Sequence, residues 1–350
     1  MDMIDSNKIK IARLLRHLSM DQLVARMDGH AVSKMAISKI ERGLMQPTDQ
    51  TLQAIADACL VPIEYFYRNN TQIGKLEFRF KEATPIRKRQ EIEAQVIAAV
   101  QEYIELNSNI PEQITFKNPL KGVTIRNYPD LEPAAQAIRR KWFLGNQPIF
   151  SVYELLQSYG IHIIEIDMND ENVDGVSTYV NRSIPIIIIN IRKNRTTERK
   201  RFTALHELAH LTMKIKPVTD DGFIEYRNSL PTLPYTVTLK QPDKERLCNC
   251  FASTMLLPQE CVFRRFGTSR KDIHLDELIK VRQTYGISIA ATIHRLHTLR
   301  VIDDANYHRY YEEIISPNEL ETGLGDFPIK EQADRIPLIQ LRLQDLPEVE

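Results

Sequence analysis

The chain is poor in several things, and each shortage removes a class of protein. It has four cysteines in 350 residues, Cys59, Cys248, Cys250 and Cys261. Three cluster and one is remote, so reduced thiols rather than a disulfide framework are expected, as in a cytoplasmic protein. Charge of one sign is missing too: 46 Lys and Arg balance 46 Asp and Glu, so the whole chain is not a nonspecific nucleic-acid binder. No apolar run reaches the ~18–20 residues of a membrane span, because the longest, Ile184–Ile191, is broken by Pro185 and Asn190. The first residues, Met1 to Asp5, carry acids where a secretory signal needs a basic stretch followed by an apolar one. Repeats and low-complexity tracts are absent. What remains is ordinary globular composition, 43% hydrophobic and 26% charged, with length for two or three modules.

The pattern predicts four segments. Residues 1–70 read as short helices. Ile9–Arg16 is apolar at helical spacing, and Ser19 with Gln22 forms a capping box for the helix that runs to about Met27, where Asp28-Gly29-His30 breaks the pattern. Ser33 caps Lys34–Arg42, Gly43 stops it, and Pro47-Thr48 opens a helix with Leu52, Ile55, Ala56 and Cys59 inside. Residues 71–130 read as a linker holding a strand, Lys75–Lys81, and a long helix, Pro85–Leu106; Pro111, Pro119 and Pro129 mark its end. Residues 131–315 read as a compact domain with helices at Leu131–Trp142 and Val152–Tyr159, then strands at Ile161–Ile166, Gly175–Val180 and Ile184–Asn190. The unbroken Ile186–Ile189 run predicts a strand covered on both faces. Helices follow at Thr197–Lys214 and Pro242–Leu257, separated by a loop-rich 217–241, and then near 259–266, 275–285, 288–298 and 303–315. Residues 316–350, proline-containing and acidic, are expected to pack loosely or to dock as a strand.

One motif carries chemistry. His206-Glu207-Leu208-Ala209-His210 lies in a helix otherwise lined by Phe202, Ala204, Leu205 and Leu211. Spacing of i, i+4 puts both imidazoles on one face, where they can share one ion, and Glu207 can reach water held there as a general base. Charge in an apolar helix asks for a metal or a partner. Neutral imidazole suits Zn²⁺, and a catalytic zinc site takes a third protein ligand. The best candidate is Glu245, with Asn249 one turn later placed to orient a ligand histidine. Cys248 and Cys250 compete, although residues two apart on a helix cannot easily face one ion together. His162, His274, His294, His297 and His308 read as ordinary surface or core residues. Of these, His294 and His297 are also candidates for an oxyanion donor.

These residues carry a resemblance. Arg199-Lys-Arg-Phe-Thr-Ala-Leu-His-Glu-Leu-Ala-His210, with Glu245-Arg-Leu-Cys-Asn-Cys-Phe-Ala-Ser-Thr-Met-Leu-Leu-Pro258, Asp174-Gly-Val-Ser177 and the Ile184–Asn190 strand, resembles the ImmA/IrrE family of zinc metallopeptidases over about residues 130–260. The resemblance implies a small zincin core, zinc held by His206, His210 and Glu245, Glu207 as base and Asn249 behind the ligands. It also implies limited cleavage of a partner transcriptional repressor under stress or during mobile-element induction.

Residues 8–67 are similar to the XRE/Cro type of helix-turn-helix, on Leu23, Val32-Ser-Lys-Met-Ala-Ile-Ser-Lys-Ile-Glu-Arg-Gly43, Pro47, Leu52, Ile55 and Ala56. The resemblance implies a recognition helix at Lys34–Lys39. Lys34, Met35 and Ser38 would read base edges, and Lys39 and Arg42 would meet phosphate. Two features depart from that family: a longer turn at Asp28–Val32, and Met20 where a phosphate-contacting Gln is common. Nine basic against eight acidic residues over 1–70 give weak monomeric binding, so a homodimer on a two-fold operator is expected.

The fold class is therefore multi-domain, an all-α helix-turn-helix domain followed by an α+β zincin-like metallopeptidase domain with additional C-terminal helices. The expected function is a regulatory, DNA-binding, zinc-dependent endopeptidase acting on a helix-turn-helix repressor, without a membrane. The alternative is a transcription regulator or toxin–antitoxin component whose zincin domain senses or dimerises.

Overall fold

The computed structural model describes residues 3–27, 32–67, 71–76, 78, 84–107, 114–216 and 244–333. The expected turn at 28–30, the loop 217–241 and the tail beyond 333 lie outside the described residues.

The first body is built by caps. Asp5 accepts from Asn7 N and opens α1 (Ser6–Leu15), and the Ser19–Gln22 capping box opens α2 (Met20–Arg26) as the sequence predicts. Ser33 accepts from Ala36 N at the start of α3 (Lys34–Glu41), and Thr48 from Thr51 N at the start of α4 (Asp49–Cys59). A 3-10 turn at Ile63–Phe66 follows. Ile9, Leu23, Ile37, Ile40, Leu52, Ile55, Cys59 and Phe66 are all fully buried between these elements. A second tie crosses the core. Arg13 on α1 donates through Nε and Nη2 to both Glu41 oxygens on α3, at 2.6 and 2.9 Å, and its Nη1 donates to Leu18 O. This buried bidentate pair fixes the angle of α3.

The second body is a three-stranded sheet between two cores. β2 (His162–Ile166), β3 (Gly175–Val180) and β4 (Ile184–Asn190) lie in the order β2–β4–β3, with β2 parallel and β3 antiparallel to β4. β1 (Thr124–Ile125) stands apart from them. β4 is central, which explains its isoleucines: Ile186 and Ile188 face one core, Ile187 and Ile189 the other. The first core is covered by α5 (Ile86–Asn107) through Ile92, Val96, Ala99, Val100 and Tyr103. The second is larger. It takes α6 (Leu131–Lys141), α7 (Val152–Ser158), α8 (Thr197–Thr212) and α9 (Lys244–Leu256), and then α10 (Gln259–Phe266), α11 (Leu275–Tyr285), α12 (Ile289–Thr298) and α13 (Asp304–Tyr310).

Three regions differ from the sequence reading. The long helix of the expected linker is a layer of the fold: one side covers the sheet, while Ala94 on another side packs on Ile11 and Leu14 of α1. The proline-marked stretch after it also packs. Leu120 and Ile125 are buried in the larger core, and β1 pairs in parallel with β5 (Lys214–Ile215) directly after α8. Of the expected strand Lys75–Lys81, residues 77 and 79–81 lie outside the described residues; just before it Ile73 makes an antiparallel bridge to Val180, and Leu76 and Phe78 pack on the α5-side core.

The tail is the largest difference. Expected to be loose or a docking strand, residues 316–333 are held by two buried carboxylates. Glu321 accepts from Ile289 N and Ala290 N and so caps α12. Glu331 accepts from Val152 N, Tyr153 N and Ser151 Oγ at the start of α7, and from Arg201 Nη1 of α8 at 2.6 Å. Helix N-termini attract anions, so acidic residues are what this segment needs in order to pack.

Candidate metal centre

α8 carries the motif because Thr196 caps it and Ala204, Leu205, Leu208 and Ala209 bury its inner face completely. β3 runs along it in step. Gly175 lies against Thr203 and Glu207, Ser177 meets Glu207, and the Tyr179 hydroxyl donates to Leu211 O. Two strand residues advance ~6.6 Å and four helix residues ~6.0 Å, so alternate strand side chains meet successive helical turns. A Cβ on Gly175 would stand 3.0 Å from Thr203 Cγ2, so glycine permits this approach.

His206 and His210 on α8 and Glu245 in the first turn of α9 converge, with one ligand atom of each within 4.8 Å of the others. His206 Nε2 is 3.0 Å from His210 Nε2 and 3.2 Å from Glu245 Oε2, and His210 Nε2 is 3.5 Å from Glu245 Oε1. Ligand atoms ~2.0–2.1 Å from one tetrahedral ion stand about 3.3 Å apart, so the three groups fit a shared cation of zinc's size. Two imidazole nitrogens this close, with a carboxylate beside them, repel unless a proton or a cation lies between them. The hydrogen bonds from the two imidazoles hold the Glu245 carboxyl well below the usual carboxylate range. Burial opposes a charged His206, but the hydrogen bond to Glu245 and the charges of Glu207 and Glu245 outweigh it and raise its pKa.

Partners behind the cluster orient it. Asn249, one turn after Glu245, has its Oδ1 2.8 Å from His206 Nδ1; Nδ1–H donating to it leaves Nε2 facing the cluster. Cys248 Sγ is 3.9 Å from His210 Nδ1, the nitrogen turned away from Glu245, so this thiol backs a ligand. Cys250 points elsewhere, into the core, where burial raises its pKa. Glu207 is buried, and that burial pushes its pKa up against the opposing pull of His206, His210 and Ser177. Ser177 Oγ donates to Glu207 Oε2 at 2.7 Å. Sequence reasoning assigned Ser177 no role, although it shares strand parity with Gly175, the residue that meets the helix.

A cavity of about 520 Å³ opens on the cluster and is lined by His206, Glu207, His210, Glu245 and Asn249, with His294 on its wall. His297 is turned away, paired with Asp304 at 2.6 Å and stacked on Tyr307. The structure therefore separates the two histidines that the sequence offered together. His162 meets the Tyr103 hydroxyl at 2.6 Å between β2 and α5, a packing role.

On the first body, Lys34, Met35, Lys39 and Arg42 are exposed along α3 and Ser38 is half-buried. Lys34 Nζ is held by Asp21 Oδ2 of α2 at 2.6 Å, and Arg42 Nε donates back to Ser38 O. Among the described residues no helix is long and apolar enough to cross a membrane.

Comparison with known families agrees with both bodies. Residues 9–66 match the helix-turn-helix family, and residues 156–297 match the IrrE N-terminal-like domain, a peptidase family. No curated protein matches the chain. The matched peptidase segment spans β2 to α12 and contains the whole His206/His210/Glu245 cluster. The chain thus matches a helix-turn-helix family and then, in that order, an IrrE N-terminal-like peptidase family.

Proposed function

We propose that this chain is a regulatory zinc-dependent endopeptidase carried by a DNA-binding domain, with a helix-turn-helix transcriptional repressor as its substrate in a stress, mobile-element or defence response. The convergence of two imidazoles and one carboxylate at tetrahedral spacing carries the reading. His206, His210 and Glu245 hold the zinc, and Asn249 keeps His206 in the tautomer that can ligate. Bound zinc supplies Lewis-acid chemistry, polarising a scissile carbonyl and making water more acidic. Glu207, held by Ser177 and kept basic by burial, takes a proton from water and returns it to the leaving amide nitrogen. Lys34, Met35 and Ser38 face base edges, Lys39 and Arg42 meet phosphate, and a homodimer matches a two-fold operator.

The test pairs metal content with cleavage. Elemental analysis is made of wild type, Glu245→Ala and Glu207→Gln, each also co-expressed with helix-turn-helix repressors encoded beside it. Expected are about one zinc per wild-type chain, loss of zinc in Glu245→Ala, retention in Glu207→Gln, and a repressor fragment with wild type alone. A wild-type chain that binds no metal under gentle preparation overturns the peptidase reading.

A further inference from the structure

Among the described strands β3 is the edge of its sheet, and its outer edge passes the candidate base. The bond from Asn190 N to Asp174 O sets the pairing with β4, so Asp174, Val176, Thr178 and Val180 turn their backbone groups toward β4. The backbone groups of Gly175, Ser177 and Tyr179 consequently point outward. An exposed edge of this kind is where an extended peptide adds as a further strand. The edge is divided. At one end the chain itself sits on it: Gly74 N donates to Tyr179 O and Asn181 N to Gln72 O, both at 2.8 Å, with Gln72 N donating to the Asn181 side chain. Ile73 makes the antiparallel bridge to Val180. Two residues away, ~6.6 Å along the strand, Ser177 faces a cavity of about 290 Å³ lined also by Gly74, Lys75, Glu207 and His210.

We propose that residues 72–74, which join the helix-turn-helix domain to α5, are an internal strand occupying part of the β3 edge that an extended peptide substrate takes, so that a longer substrate binds only by displacing it. The inference rests on the peptidase reading for the word substrate, but not for the competition itself. Three observations support it. The segment runs antiparallel to β3, so a peptide added at Ser177 in the same sense has its N-terminal residues directed at Ile73 and Gly74. Past Gly74 the segment stays beside β3 as far as Lys75, whose carbonyl accepts from Thr178 Oγ1 at 3.4 Å, and Leu76 and Phe78 pack on the same α5-side core as Ile73. The fit is tight and specific to glycine: a Cβ on Gly74 would lie 2.8 Å from Tyr179 O and 3.2 Å from Thr178 Oγ1.

That clash supplies the experiment. Full-length wild type and Gly74→Val are compared by hydrogen exchange and by binding of a fluorescent octapeptide with the sequence of residues 71–78, Thr-Gln-Ile-Gly-Lys-Leu-Glu-Phe. Expected in the variant are about tenfold faster exchange at the Asn181 amide, unchanged exchange in α8 and α9, and about tenfold tighter octapeptide binding. Asn181→Gly keeps the positive φ of 49° that this residue adopts and removes only the acceptor for Gln72. It should shift both readouts in the same direction by less, and it decides the matter if Gly74→Val also loosens α8. Equal octapeptide affinity in wild type and the folded variants overturns the internal strand. Zinc content, measured on the same samples, reports separately on the peptidase reading.

Discussion

The two halves of α8 treat buried charge in opposite ways. In the first half every charge is closed. Arg201 and Glu331 pair at 2.6 Å with both side chains fully shielded, and Arg201 also donates to the carbonyls of Ile149, Phe150, Tyr285 and Gly286. Glu198 accepts from Arg282, which donates as well to Glu321 O and Asp326. One to two turns on, His206 and His210 converge with Glu245 of α9, two nitrogens and a carboxylate within 4.8 Å of one another. A completed network holds elements in place, whereas converging donor groups that still require a cation describe a binding site. The same helix is thus anchored at one end and chemically available at the other.

Breaking the anchored half should have the largest effect. Glu331→Ala leaves Arg201 buried without its carboxylate and removes the cap of α7, so a loss of about 3–5 kcal/mol is expected in urea denaturation. Loss of activity would follow from unfolding alone. A Glu331→Ala chain within ~1 kcal/mol of wild type would show that the tail is not part of the anchor.

Breaking the open half should leave stability nearly untouched and change chemistry instead. Glu207→Gln keeps the shape of the side chain and its contact with Ser177 but removes the base, so zinc stays bound while cleavage falls by about 10²–10⁴-fold. Asn249→Ala acts more gently. Losing the acceptor that orients His206 should weaken zinc by about 10–100-fold, read by competition with a chelator. A cleavage rate that survives Glu207→Gln, with zinc present, removes Glu207 from the role of base.

The contrast also explains what the sequence could tell. The open half was legible because its spacing is local: His206 and His210 are one turn apart, and Glu245 and Asn249 repeat that interval on the next helix. The helix caps were legible for the same reason. The anchored half was not, because Arg201 meets Glu331 across 130 positions and no periodicity links them. An acidic tail read by composition suggests solvent, yet two of its carboxylates satisfy helix N-termini in the interior. α5 misled for another reason. Its sheet-covering face, with Ile92 and Val96, follows helical spacing, but Ala94 and Ile97 face α1, a partner that no spacing along the helix names. Ser177 was hidden in a strand whose relation to α8 only the packing defines.

The smallest effect sharpens the comparison at the other end of the molecule, where charge is exposed. Lys34 and Asp21 pair at 2.6 Å with both side chains more than half exposed, and such a pair adds little to stability. If α3 is the recognition helix, as proposed above, the consequence of the pair lies in DNA binding, because Asp21 neutralises a cation at the start of that helix. Asp21→Asn should therefore leave the melting temperature unchanged and tighten DNA binding several-fold at low salt. The salt dependence then distinguishes two roles for Lys34. If the freed lysine meets a phosphate, the slope of log K against log salt steepens by about 0.9. If it reads a base edge, the slope stays nearly constant and the gain is confined to one operator sequence, because base contacts carry the sequence information and phosphate contacts do not.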